Sequence, residues 1–195
     1  MIQMKKMWTK VYKKKGKNLT QDELDTINKI RKIEFEGFAS AQHPIKPQQG
    51  NEHWQELYFL VKTSENSLTA FARIQEVDIK FMRQNYSILG IVTVASAVKG
   101  QGYGKILLKE MVNHITKIEK TAIAFTDRKT SSFYHQFGFT VIPDGSVRFF
   151  HGTPDGKLIS DELVSDVVCL NGQDNLIEAI TQNPEEKVLL PKPQW

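Results

Sequence analysis

Cysteine is all but absent: Cys169 stands alone in 195 residues. That excludes an internal disulfide and any multi-cysteine zinc site, and no metal is expected. Its setting, Asp166-Val-Val-Cys-Leu170, is strand-like, so the thiol reads as a small buried hydrophobe rather than a nucleophile. No apolar run approaches the length that crosses a bilayer, and the N-terminal lysines lack the apolar stretch of a signal peptide. Internal repeats and low-complexity linkers are missing too. A cytoplasmic protein with no membrane partner is expected. Charge of one sign is also in short supply: 26 basic against 22 acidic residues leave a net +4, a mild excess that suits an anionic ligand. Much of that excess is Lys5, Lys6, Lys10, Lys13, Lys14, Lys15 and Lys17. These read as a solvated strand and turn; a nucleic-acid footprint is disfavoured, because no aromatic or groove-reading motif accompanies them. With 40% hydrophobic and 25% charged residues, the chain can bury one sizeable core.

What is present centres on Ile88 to Leu108. Ile88 to Ala95 is a nearly continuous β-branched apolar run, the mark of a strand buried on both faces. Lys99-Gly100-Gln101-Gly102-Tyr103-Gly104-Lys105 follows, with glycine at alternate positions. Leu107, Leu108, Met111, Val112, Ile115 and Ile118 then recur at helical spacing. Strand, glycine loop and helix make an anion cradle: loop N–H groups and the helix's open first turn converge, and the dipole adds positive potential.

The rest of the chain supplies the frame. Met7 to Tyr12 is expected as a first strand, ended by the lysine-rich turn at Gly16. Thr20 and Glu23 form a capping box that starts a helix with Leu24, Ile27, Ile30, Ile33, Phe35 and Phe38 on its apolar face; it should end before His43-Pro44. A polar loop follows, with a short helix at Glu52 to Gln55. Leu57 to Lys62 and Leu68 to Ile79 read as a hairpin, and Phe81 to Tyr86 as a polar connection. Beyond the long helix, strands are expected at Thr121 to Thr126, Phe139 to Ile142, Ser146 to Phe150 and Leu163 to Leu170. Helices are expected at Lys129 to Phe137 and Asp174 to Thr181, and Asn183 to Trp195 as a proline-containing surface tail. The pattern gives an α/β (α+β) fold, a mixed but mostly antiparallel sheet of about six to seven strands flanked by helices. The helix between Ile88–Ala95 and Thr121–Thr126 should make those strands parallel, with a right-handed crossover. One domain over 1–172 is expected, with 173–195 as a helix and tail packed on it.

The glycine loop fits neither common nucleotide motif. A P-loop needs Ser or Thr after Gly104-Lys105, where Ile106 stands, and Gly-x-Gly-x-x-Gly fails at Lys105 or Leu107. Val94 to Gly104 instead resembles the acetyl-CoA loop of the GNAT acetyltransferase superfamily, Arg/Gln-x-x-Gly-x-Gly/Ala after a buried strand. Lys99 stands for the usual Arg or Gln, and Ser96 where proline is common. Phe133-Tyr134-His135-Gln136-Phe137-Gly138-Phe139 resembles the family's Phe-Tyr-x-x-x-Gly-Phe signature, at the family's separation from the loop. Asp127 occupies a position where the family often has Asn. The order of elements from Met7 to Leu170 matches too.

The resemblance implies a GNAT-like acyl-CoA N-acyltransferase that moves an acetyl group from acetyl-CoA to an unidentified primary amine. Backbone N–H groups of Gln101, Gly102, Tyr103, Gly104 and Lys105 would hold the pyrophosphate, Gly100 would belong to the same cofactor loop, and Lys99 and Lys105 would add charge. Pantetheine would run beside Thr93, Val94 and Ala95, and Asp127, Ser131 and Tyr134 would complete the cofactor set. Tyr134 would be the general acid, since a phenol with a pKa near ~10 stays protonated at neutral pH. The base is open: Ile88 to Val98 holds no carboxylate where family members often carry Glu. Glu76 is the leading candidate, with Asp78 beside it, and His43 and His53 could line the acceptor side. The acceptor would be set by Phe35 to Trp54 and Ser146 to Leu170. The alternative is a non-catalytic module of this fold that binds acyl-CoA or a protein; a monomer or a homodimer is expected.

Overall fold

The computed structural model describes residues 8–160 and 163–191. Lys5, Lys6, Met7 at the head of the first expected strand, and the last residues of the tail lie outside that range. The chain folds into two compact units: residues up to Ile74 with Thr93–Met111, and Gln75–Val92 with residues from Val112 onward. Among the described residues ten strands pair in a mixed, mostly antiparallel sheet. Three of them are only two or three residues long, so the count exceeds the six or seven that longer apolar runs suggest.

In the first unit, β1 (Thr9–Lys15), β2 (Leu57–Thr63) and the start of β3 (Leu68–Phe81) make an antiparallel meander. β1 runs through the lysines expected to end it. The sheet tolerates them because Lys14 reaches Glu23 at 2.8 Å while Lys10 and Lys13 lie over the Tyr12 and Phe59 rings. Helix α1 (Gln21–Glu34) opens on the expected capping box: Glu23 N–H donates to Thr20 Oγ1 at 3.2 Å, and Thr20 N–H to Glu23 Oε2 at 2.9 Å. It stops well short of His43. Gly37, at φ +94°, breaks it, and a separate turn, α2 (Ala39–Gln42), follows. Ile27 and Ile30 of α1 pack with Tyr58, Leu60, Phe71 and Ala95 to form this unit's core.

In the second unit β3 turns into β4 (Gln84–Ser96) through Met82-Arg83, both at positive φ (47° and 65°). This is the geometry of a two-residue type I′ hairpin built without glycine or asparagine, so the expected connection is shorter and β4 starts at Gln84. Helix α3 (Tyr103–Ile118) leads to β5 (Ala122–Thr126), and β5 is parallel to β4 as expected, in register Leu89↔Ala122 and Gly90↔Ile123. Helix α4 (Arg128–His135) and β6 (Thr140–Ile142) follow. Ser146 to Phe150, read as a strand, begins as a single-turn 3-10 helix (Gly145–Arg148) before β7 (Phe149–Gly152). After β8 (Leu158–Ile159), β9 (Asp166–Leu170) pairs antiparallel with β5 and β6, and helix α5 (Leu176–Gln182) comes next. Val188–Leu190, inside the stretch expected as a surface tail, forms β10, antiparallel to β3 and parallel to β7. Ile88, Ile123, Phe149, Val167 and Leu176 lie at this unit's core, and Cys169 is buried there, its thiol pushed up to about 12 by burial. Among the described residues no helix is long and apolar enough to cross a membrane.

Candidate functional site

The glycine loop lies between the end of β4 and the start of α3. Gly100 and Gly102 hold φ +76° and +77°, and a Cβ on either would meet open space. Glycine is required here for the left-handed backbone, not for room. Gly102 O accepts from Ile106 N–H at 3.2 Å, so the N–H groups just after it open the helix without an intrahelical partner. Tyr103 is buried and Gln101 and Lys105 are exposed; the Tyr103 ring belongs to the core. Lys99 forms an ion pair with Glu34 of α1. On β4, Thr93 is buried and its hydroxyl accepts from Arg73 Nε at 3.2 Å, while Ala95 packs in the core and Val94 is half-buried.

The second motif forms α4. Asp127 is its N-cap: one carboxylate oxygen accepts from Lys129 N–H at 2.8 Å and Thr130 N–H at 2.9 Å, the other from the Thr130 hydroxyl at 2.9 Å. Burial opposes its charge, but these bonds outweigh that and lower its pKa. Ser131 is buried and donates to Arg128 O at 3.0 Å. Tyr134 is 6% exposed, edge-on to Phe139 with ring centroids 5.2 Å apart. Burial, and then the Asp127 carboxylate, push its phenol pKa up. Tyr134 therefore holds its proton across the neutral range and serves chemically as a hydrogen-bond donor.

Glu76 and Asp78 lie on the exposed side of β3, alternating with buried Val77 and Ile79. The Glu76 carboxylate is 74% exposed and sits 3.0 Å from Lys120 Nζ. His43 is exposed, and its carbonyl accepts from Arg31 Nη1 at 3.1 Å. Asn28 clamps the same loop, donating to Ile45 O at 3.2 Å and accepting from Ile45 N–H at 2.7 Å.

A buried polar cluster in the first unit escapes sequence reasoning. Arg73 Nη1 donates to both Glu56 oxygens at 3.0 and 2.9 Å, and Tyr58 Oη donates to Glu56 Oε2 at 2.9 Å. His53 Nδ1 is 3.1 Å from Glu56 Oε2 and 3.2 Å from Arg73 Nη1. Burial raises the Glu56 pKa, but the His53 hydrogen bond and the Arg73 charge more than reverse this, bringing it to about 2. Burial and the Glu56 charge push Tyr58 up. One signal was available: Arg73 is a lone charge inside the apolar run Leu68 to Ile74, and a buried charge requires a partner. Glu52, His53 and Glu56 offer atoms within 4.8 Å of one another, a spacing a metal could use. Arg73 already neutralises Glu56 and would oppose a second cation beside it.

Residues 72–149 match the family model described as FR47-like protein. No curated protein matches the chain in sequence. Among solved structures, Escherichia coli ElaA aligns with TM-score 0.55 at 15% identity, over 83% of this chain and 99% of that one. An acyl-CoA N-acyltransferase from Pseudomonas aeruginosa aligns with TM-score 0.54 at 13% identity, over 82% and 97%. The GNAT family N-acetyltransferase YhbS from E. coli, solved in complex with CoA, aligns with TM-score 0.53 at 11% identity, over 97% and 89%. The fold is that of these acyl-CoA N-acyltransferase structures, and the FR47-like match falls within the segment that carries both sequence motifs.

Proposed function

We propose that the chain is an N-acetyltransferase that moves the acetyl group of acetyl-CoA to a primary amine of a small molecule or peptide by direct attack. The observation that carries this reading is the β4–α3 unit, where left-handed Gly100 and Gly102 lead into the open first turn of a helix. N–H groups of Gln101 to Lys105 hold the pyrophosphate, and Lys105 adds charge from the helix start. β4 continues past Gly90 to Ser96, and pantetheine pairs along its Thr93–Ala95 edge as an added strand. Asp127 and Ser131 contribute from the start of α4. Tyr134, kept protonated by burial, donates to the sulfur as the C–S bond breaks. A CoA complex of YhbS on the same fold supports the cofactor. A second reading, an acyl-CoA-binding module without transfer, draws on Lys99, which is held by Glu34 rather than free for a phosphate.

Calorimetric titration with acetyl-CoA and thiol release across an amine panel test the proposal together. Wild type should bind saturably. Gly102→Glu, which sets a carboxylate on a φ +77° turn, should weaken binding at least about tenfold. Tyr134→Phe should lower turnover roughly 10²-fold while acetyl-CoA affinity stays within about twofold. Absence of saturable binding removes the reading, and unchanged turnover removes Tyr134 from the acid role. Binding without thiol release from any amine favours the module.

A further inference from the structure

We propose that His53 takes the proton of the attacking amine and that Glu56 positions it, an inference that rests on the acyl-transfer reading above. Glu56 is ionised and can only accept, so Oε2 at 3.1 Å draws the Nδ1 hydrogen. Arg73 Nη1, also close to Nδ1, directs its hydrogens to the two Glu56 oxygens instead. This arrangement leaves the lone pair on Nε2, the form a base needs, in a side chain that keeps 23% of its surface exposed. Glu56 carries the complementary charge once the ring becomes imidazolium.

The cluster is built rather than incidental. A Cβ on Gly16 would lie 1.8 Å from the His53 carbonyl oxygen, so glycine there lets the chain press against the His53 backbone. Gly16 N–H donates to Glu56 O at 2.9 Å, and the Asn51 side chain accepts from Trp54 N–H at 3.2 Å, fixing the turn that carries His53. Arg73 in turn joins the dyad to Thr93 of β4, the strand that takes pantetheine in the proposed function. Other groups face the dyad. Tyr58 donates to Glu56, Glu52 is close to both dyad residues, Lys15 Nζ caps Gln55 O at 3.0 Å, and the Arg31 charge acts on Arg73 and Glu56. In the step itself, the amine nitrogen forms the C–N bond and its proton passes to Nε2. The C–S bond breaks with its electron pair on sulfur, which takes the Tyr134 phenolic proton; the imidazolium then loses its proton and the phenolate regains one by exchange with water.

The test compares wild type, His53→Asn and His53→Ala. Asparagine keeps an N–H for Glu56 but cannot act as a base. His53→Asn should lower kcat/KM by about 10²-fold and erase the acid limb of its pH profile, with acetyl-CoA affinity and Tm unchanged. Added imidazole should restore part of the His53→Ala rate, a rescue that a purely structural role would not give. A His53→Asn enzyme that keeps its acid limb overturns the assignment, as does an acid limb erased by Glu76→Gln. A wild-type protein that releases no thiol with any amine overturns the acyl-transfer reading and this role with it. Turnover in wild type with no effect of His53→Asn overturns only the role.

Discussion

Glu56 carries a full charge where its side chain is 1% exposed, and Glu23 does so at 4%. Each is held ionised by its partners: the His53 hydrogen bond and the Arg73 charge on Glu56, and Lys14 and Lys62 on Glu23 at 2.8 and 2.9 Å. Both titrate at about 2 in the fold, against about 4.3 in an unfolded chain. A lowered carboxylate stabilises the fold above its unfolded pKa, and that stability is lost as pH falls toward the folded value. The first unit should therefore lose stability between roughly pH 4.3 and 2, by on the order of 3 kcal/mol for Glu56 alone. Thermal melts across that window check this. Wild-type Tm should fall steeply, whereas Glu56→Gln should be less stable at pH 7 by about 3–5 kcal/mol for the stranded Arg73, and its Tm should decline with a shallower slope.

At the scale of elements, local chemistry was legible where one or two residues decide the geometry. Thr20 and Glu23 announce α1, and Gly100 and Gly102 announce the turn before α3. The Met82-Arg83 hairpin was not legible, because type I′ turns are recognised by glycine and asparagine and neither is present. The Glu56–His53–Arg73 cluster was not legible either, because Arg73 on β3 meets the turn that carries His53 and Glu56 only through tertiary pairing. Arg148 belongs to the same class. From the 3-10 turn before β7 it donates to Ile180 O at 3.0 Å, Asn183 O at 2.5 Å and Glu186 O at 3.0 Å, satisfying carbonyls at and beyond the end of α5. Burial of its guanidinium lowers its pKa, which marks the removal from water that these bonds offset. Arg148→Ala should cost about 2 kcal/mol, or roughly 4–8 °C in Tm, and should loosen α5 first. Hydrogen exchange would locate the loss: faster exchange in 176–190, with unchanged protection in α1.

At the scale of the whole chain, the last described residues are part of the second unit's sheet rather than an appendage to it. Strand β10 is only Val188–Leu190, yet it pairs Val188 with Phe81 and Leu189 with Lys80 on one side, and all three residues with β7 on the other. Val188 is fully buried and Leu190 is 5% exposed, and Lys187 lies over the Phe150 ring at 4.4 Å. Removing residues from Lys187 onward would strip two buried aliphatic side chains from a core that contains Phe81, Phe149 and Ile180. It would also leave facing strand edges on β3 and β7 without their hydrogen-bond partner. Two lost aliphatic side chains correspond to about 3–6 kcal/mol before the unpaired edges are counted. For a marginally stable protein that is a large share of the total. The shortened chain should therefore melt at least about 6 °C lower or collect in aggregates, measured by thermal denaturation and light scattering at matched concentration. A Val188→Asp variant of the 195-residue chain should do the same without shortening it. If the shortened chain and this variant both melt with wild type, β10 is dispensable and the second unit's core closes without it.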